Sequence, residues 1–111
     1  MDGYILVPGT LDRRHVTALI DPALKKNLMS AAKVRDLGLE IMPVRSAWGE
    51  MHILSEENGR FGVGLIMGSV ELTWWPTLTN YPPGFGQRFW VCHQMDHDIL
   101  LGEPFLNRGK D

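Results

Sequence analysis

The stretch Val16-Thr17-Ala18-Leu19-Ile20-Asp21-Pro22-Ala23 carries most of what this chain discloses about its fold. Its first five residues are β-branched or apolar, the composition of a strand packed on at least one face. Pro22 ends that strand, because its ring fixes φ and it has no N–H for a central ladder. Asp21 therefore stands at the point where a strand turns into a loop. Upstream, Tyr4-Ile5-Leu6-Val7 followed by Pro8-Gly9 reads as a partner strand, with a polar turn around Asp12-Arg13-Arg14, so the N-terminal part predicts a β-hairpin.

Downstream, Ser30 is placed to cap a helix over Ala31-Ala32-Lys33-Val34-Arg35-Asp36-Leu37, and Gly38 to stop it. Two turns of helix are marginal in water, so Leu28, Val34 and Leu37 must anchor it. Met51-His52-Ile53-Leu54 and Phe61-Gly62-Val63-Gly64-Leu65-Ile66 flank Asn58-Gly59, a strong hairpin signal. Val70, Leu72 and Trp74 alternate with Ser69, Glu71 and Thr73, which predicts a separate half-buried strand. Residues Pro76 to Gly86 hold too many Pro and Gly for regular structure and predict a loop. Arg88 to Cys92 and Ile99-Leu100-Leu101 are further strands, and Pro104-Phe105-Leu106 a last helical turn.

At 111 residues, with 44% hydrophobic and 22% charged residues, residues 1–111 are expected to form one domain with one modest core. A net charge of −2 offers no concentrated basic face for nucleic acid or anionic lipid. Arg13-Arg14 and Lys25-Lys26 read as solvated positions beside a turn and a loop. No apolar run nears the ~20 residues of a membrane span. The single Cys92 cannot close an internal disulfide, so an intracellular, cytoplasmic or nuclear, location is the expectation.

The segment from Val16 through Asp21-Pro22-Ala23, Asn27-Leu28-Met29-Ser30 and Leu37-Gly38-Leu39 resembles the catalytic loop of retropepsin-like domains, especially those of long-terminal-repeat retrotransposons. His97-Asp98-Ile99-Leu100-Leu101-Gly102-Glu103-Pro104-Phe105-Leu106 resembles the second signature of that family, and the likeness spans Tyr4 to Leu106. The resemblance implies a mostly β fold, a small closed β barrel with one or two short helices. In it the two loops lie together, Asp21 sits at the bottom of a cleft, and a hairpin near Trp48-Gly49 or Asn58-Gly59 covers it. Leu24, Trp48, Gly49, Leu101 and Gly102 would line the substrate or partner groove. The resemblance also implies a homodimer, since members of this length supply one catalytic Asp per chain. It calls for no cofactor.

Aspartic peptidases pair two carboxylates that share a proton, one activating water and the other protonating the carbonyl oxygen. Asp21 would meet its copy from a second chain. The next positions depart from the family pattern of Asp, then Ser or Thr, then Gly. Pro22 has neither the hydroxyl nor the N–H that cross-links the two loops, Ala23 adds a Cβ where Gly leaves room, and Leu24 replaces a small residue. Two lost hydrogen bonds, at ~1 kcal/mol each, compromise a geometry that tolerates little error. The expectation is a dimer-forming module that binds protein or peptide with little or no hydrolysis; the alternative is an active endopeptidase using Asp21 from each chain.

Cys92, His93, Asp96, His97 and Asp98 are zinc-type side chains, but a strand end and polar turn explain their spacing, and no metal is expected. Asp98 reads as structural. Trp48, Trp74, Trp75, Tyr81, Phe85 and Trp90 could line a groove, though Trp74 suits the core better; the Tyr81–Gly86 loop is the surface candidate.

Overall fold

The computed structural model describes residues 2–10, 12–45, 49–76, 85–93 and 95–107, and these are mostly strand with two short helices. Strands β1 (Asp2–Leu6) and β2 (Arg13–Ile20) form the expected N-terminal hairpin, with Gly3 opposite Val16 and Leu6 opposite Arg13. The turn is tighter than the sequence suggests. Val7 N–H donates to Asp12 O at 2.9 Å and Thr10 N–H to Val7 O at 3.1 Å, so Arg13 and Arg14 belong to β2 and not to the turn. Arg13 is drawn into the sheet because its guanidinium lies 5.1 Å from the centre of the Trp75 ring.

After the Asp21 loop the chain returns as β3 (Leu28–Ser30), a short strand where only packing residues were expected. It runs into α1 (Ala31–Asp36), whose first turn is capped by Ser30 Oγ accepting from Lys33 N–H at 3.3 Å. Gly38, at φ +66°, ends it in the left-handed region that Gly adopts without cost. A two-residue strand β4 (Met42–Pro43) follows, then β5 (Glu50–Glu57), β6 (Arg60–Pro76), β7 (Phe85–Cys92), β8 (Ile99–Leu101) and α2 (Glu103–Leu106).

The β5–β6 hairpin turns at Asn58 and Gly59, both at positive φ (52° and 75°), as its Asn-Gly pair predicts. The two runs expected as separate strands, Phe61–Ile66 and Ser69–Trp74, are one 17-residue strand, β6. The register irregularity between Ile66 and Gly68 shifts its pairing with β7 without breaking the strand. Ser69, expected outward, is buried.

Neighbouring strands pair in the circuit β1-β2-β8-β3-β7-β6, and β6 returns to β1 through Leu6–Thr73 and Gly3–Pro76, closing a ring of six. Alternation sends Ile5, Val16, Ala18, Met29, Val70, Leu72, Trp74, Phe89, Val91, Ile99 and Leu101 into its interior, capped by Val34 of α1 and Phe105 of α2. The Trp74 and Phe105 rings meet at 5.2 Å. On the opposite faces of β3, β7 and β8, Leu28, Trp90 and Leu100 join Leu24, Leu54 and Ile66 in a smaller cluster. β2–β8 and β3–β7 are parallel pairs, and cover on both faces is what parallel pairing ordinarily has.

Candidate functional site

β2 delivers Asp21 to the edge of the ring, where its N–H donates to Leu101 O at 2.9 Å. The next residues form a β-turn. Leu24 N–H donates to Asp21 O at 3.1 Å and Ala23 N–H to Asp21 Oδ1 at 3.0 Å, with Pro22 at the position whose φ its ring already holds. The Asp21 side chain thus caps its own turn. Pro22 is exposed, while Asp21 and Ala23 are half-buried.

Two elements hold this turn. The first is the start of α2: Glu103 N–H donates to Leu24 O at 2.9 Å, and Gly102 lies against the turn backbone. A Cβ on Gly102 would stand 2.6 Å from Leu24 O, 2.7 Å from Leu24 Cβ and 2.8 Å from Lys26 O, so only Gly fits. The second is β5. Leu24 bridges Ser55, Glu56 N–H donates to Ala23 O at 3.0 Å, and Lys25 N–H donates to Leu54 O. The Lys25 ammonium reaches Glu103 at 3.1 Å and Glu56 at 3.6 Å; the hydrogen bond and charge of Glu103, aided by Glu56, raise its pKa above the usual 10.5.

Asn27 joins three segments from a fully buried position. Its Oδ1 accepts from Gly102 N–H at 2.9 Å, its Nδ2 donates to Gln87 Oε1 at 3.0 Å, and its carbonyl accepts from Trp90 N–H at 2.8 Å. Gln87 continues to Pro104 O at 2.9 Å. In the sequence Asn27 stands out only as part of the Asn27-Leu28-Met29-Ser30 motif. The one local signal of its role is a short polar amide directly before the apolar Leu28-Met29.

Asp21 borders an open groove of about 790 Å³, within the ~300–1,000 Å³ range of ligand clefts. Leu19, Leu28, Leu54, Met95 and Leu100 make its apolar wall, and Cys92, His93, Asp96 and His97 its polar end. Among the described residues no group of three or more His, Cys, Asp or Glu side chains converges as metal ligands. Asp98 is built into the fold: Oδ2 accepts from Thr17 N–H at 2.8 Å, and its carbonyl from Ser30 N–H at 2.9 Å.

The expected site residues thus divide. Asp21, Pro22, Ala23, Leu24, Leu101 and Gly102 come together, but Leu24, Leu101 and Gly102 are buried and do not border the groove. Gly49 lies at the foot of β5, where an added Cβ would meet Ile66 O at 2.8 Å. Trp48 and residues 81–84 of the proposed surface loop fall outside the described residues. Trp74 is core, and Trp90 is enclosed by His52, whose ring centre lies at 5.2 Å, and Lys26, whose Nζ lies at 4.6 Å. No helix among the described residues is long and apolar enough to cross a membrane. No protein-family model matches the chain, and no curated protein matches it either.

Proposed function

We propose that the chain is a retropepsin-like domain, a small closed β barrel, that associates with itself and binds protein or peptide with little or no hydrolysis. One observation carries this reading: the Asp21 turn lies beside the Leu101–Gly102 segment, as the family resemblance requires, yet is closed on its own backbone. Asp21 Oδ1 is engaged by Ala23 N–H, and Pro22 offers neither hydroxyl nor N–H to a second loop. The backbone of Ala23 and Lys25 is also taken up by β5, leaving those groups unavailable to an extended peptide.

The second reading, an active aspartic endopeptidase with Asp21 as general acid and base, draws support from the position of Asp21 at the rim of an apolar groove. A peptide library incubated with the protein from pH 3 to pH 7 separates the two. The expected result is no cleavage above background; cleavage that disappears in Asp21→Asn would overturn the non-catalytic reading.

A further inference from the structure

The β5–β6 hairpin is built inside out. Along Phe61-Gly62-Val63-Gly64-Leu65-Ile66-Met67-Gly68 the odd positions are large and apolar and three of the four even ones are Gly. Strand alternation sends the two sets to opposite faces. The glycines face the molecule, where they leave room for partner side chains: an added Cβ on Gly62 would collide with the Ser55 side chain, and one on Gly64 with Leu54. The large residues face out. Met51 is 63% exposed, Ile53 51%, Phe61 59%, Val63 53%, Leu65 42% and Met67 40%. Met51 stands opposite Leu65 and Ile53 opposite Val63, so these side chains form continuous rungs.

At roughly 100 Å² of exposed surface for each, the six present on the order of 600 Å², the top of the ~300–600 Å² range for the largest apolar patch on a monomer and most of the ~800 Å² that each partner contributes to a standard interface. The face is a two-stranded ribbon, apolar except for Glu56 opposite Phe61, and it suits another sheet packed face to face. A two-fold axis lying in the interface, parallel to the ribbon and along the Ile53–Val63 rung, would lay that rung on its counterpart and the Met51–Leu65 rung over the Phe61 end of the other copy.

We infer that this outer face of the β5–β6 hairpin is the contact through which two copies of the chain associate. The inference rests on the self-association proposed above and names its surface. Sedimentation velocity across micromolar concentrations tests it, using wild type, Ile53→Glu, Val63→Glu, and Leu19→Glu at the rim of the Asp21 groove. The expected result is a wild-type dimer weakened at least ~100-fold by Ile53→Glu or Val63→Glu, with unchanged circular dichroism and melting of the monomer, and untouched by Leu19→Glu. Met51→Ser and Phe61→Ser, milder changes at positions 63% and 59% exposed, should weaken the dimer to a lesser degree, and they keep the test decisive if the charged variants fail to fold. A dimer indifferent to the hairpin variants but broken by Leu19→Glu would overturn this surface and leave self-association standing. A monomer throughout would overturn both.

Discussion

Gly102→Ala tests the contact on which the arrangement of the candidate site depends. Gly102 has φ −114°, which Ala adopts freely, so the cost of the substitution is steric alone. The new Cβ would sit 2.6–2.8 Å from Leu24 O, Leu24 Cβ and Lys26 O. Two of these atoms are backbone and the third is a Cβ, so none can rotate away. The Asp21 turn would have to move from α2, straining the Glu103–Leu24 hydrogen bond and the Asn27–Gly102 bond together. Overpacking typically costs ~1–3 kcal/mol, and three simultaneous contacts with unyielding atoms place this variant at about 3 kcal/mol or more. Against a total stability of ~5–15 kcal/mol that is a large share, and at ~4 °C per kcal/mol it lowers Tm by about 10 °C. Differential scanning calorimetry and urea unfolding measure it. A Tm within ~3 °C of wild type would mean that the Asp21 turn does not rest on Gly102, and the juxtaposition of the two segments would fall with it.

Asn27→Ala should cost about 2–4 kcal/mol in urea unfolding, because it leaves Gly102 N–H buried without its acceptor and deprives Gln87 of its donor; a loss under 1 kcal/mol would show that the amide bridges nothing of consequence. Lys25→Met removes the cation shared by Glu56 and Glu103. Since the folded-state pKa of Lys25 lies above 10.5, its contribution is present in full below that value and is lost as pH rises through the raised one. The stability gap between wild type and Lys25→Met, followed by chemical unfolding, should hold from pH 7 to pH 9 and close in strongly alkaline solution; a gap unchanged by alkali would assign it to packing of the lysine stem instead.

Much of the local structure was legible because its causes are local. Asn58-Gly59 announces a turn through the positive φ both residues adopt, Ser30 and Gly38 bound α1 by capping chemistry, and Pro22 ends β2 with its missing N–H. The mostly β class and the strand runs follow from period-two alternation. Alternation does not say which face is inward. Phe61, Val63, Leu65 and Met67 read as a strand but turn out to face solvent, since the room left by Gly62 and Gly64 is filled from across the hairpin by Ser55 and Leu54, and that left by Gly68 by Ile41. The union of two expected strands into β6 and the strand character of Leu28–Ser30 were settled by partners far along the chain.

The site divides in the same way. By itself the sequence determined that a carboxylate stands at the end of a strand beside a proline, with the hydroxyl and amide of the family pattern missing. The self-capping of the Asp21 turn is a local contact that an Asp-Pro pair already favours; only the tertiary structure decided that β5 occupies the adjoining backbone and that Asn27 and Gly102 lock the turn to α2. The contacts with β5 and α2 join residues tens of positions apart, and the close approach that demands Gly at 102 arises from backbone folded back from Leu24 and Lys26, which no local pattern encodes.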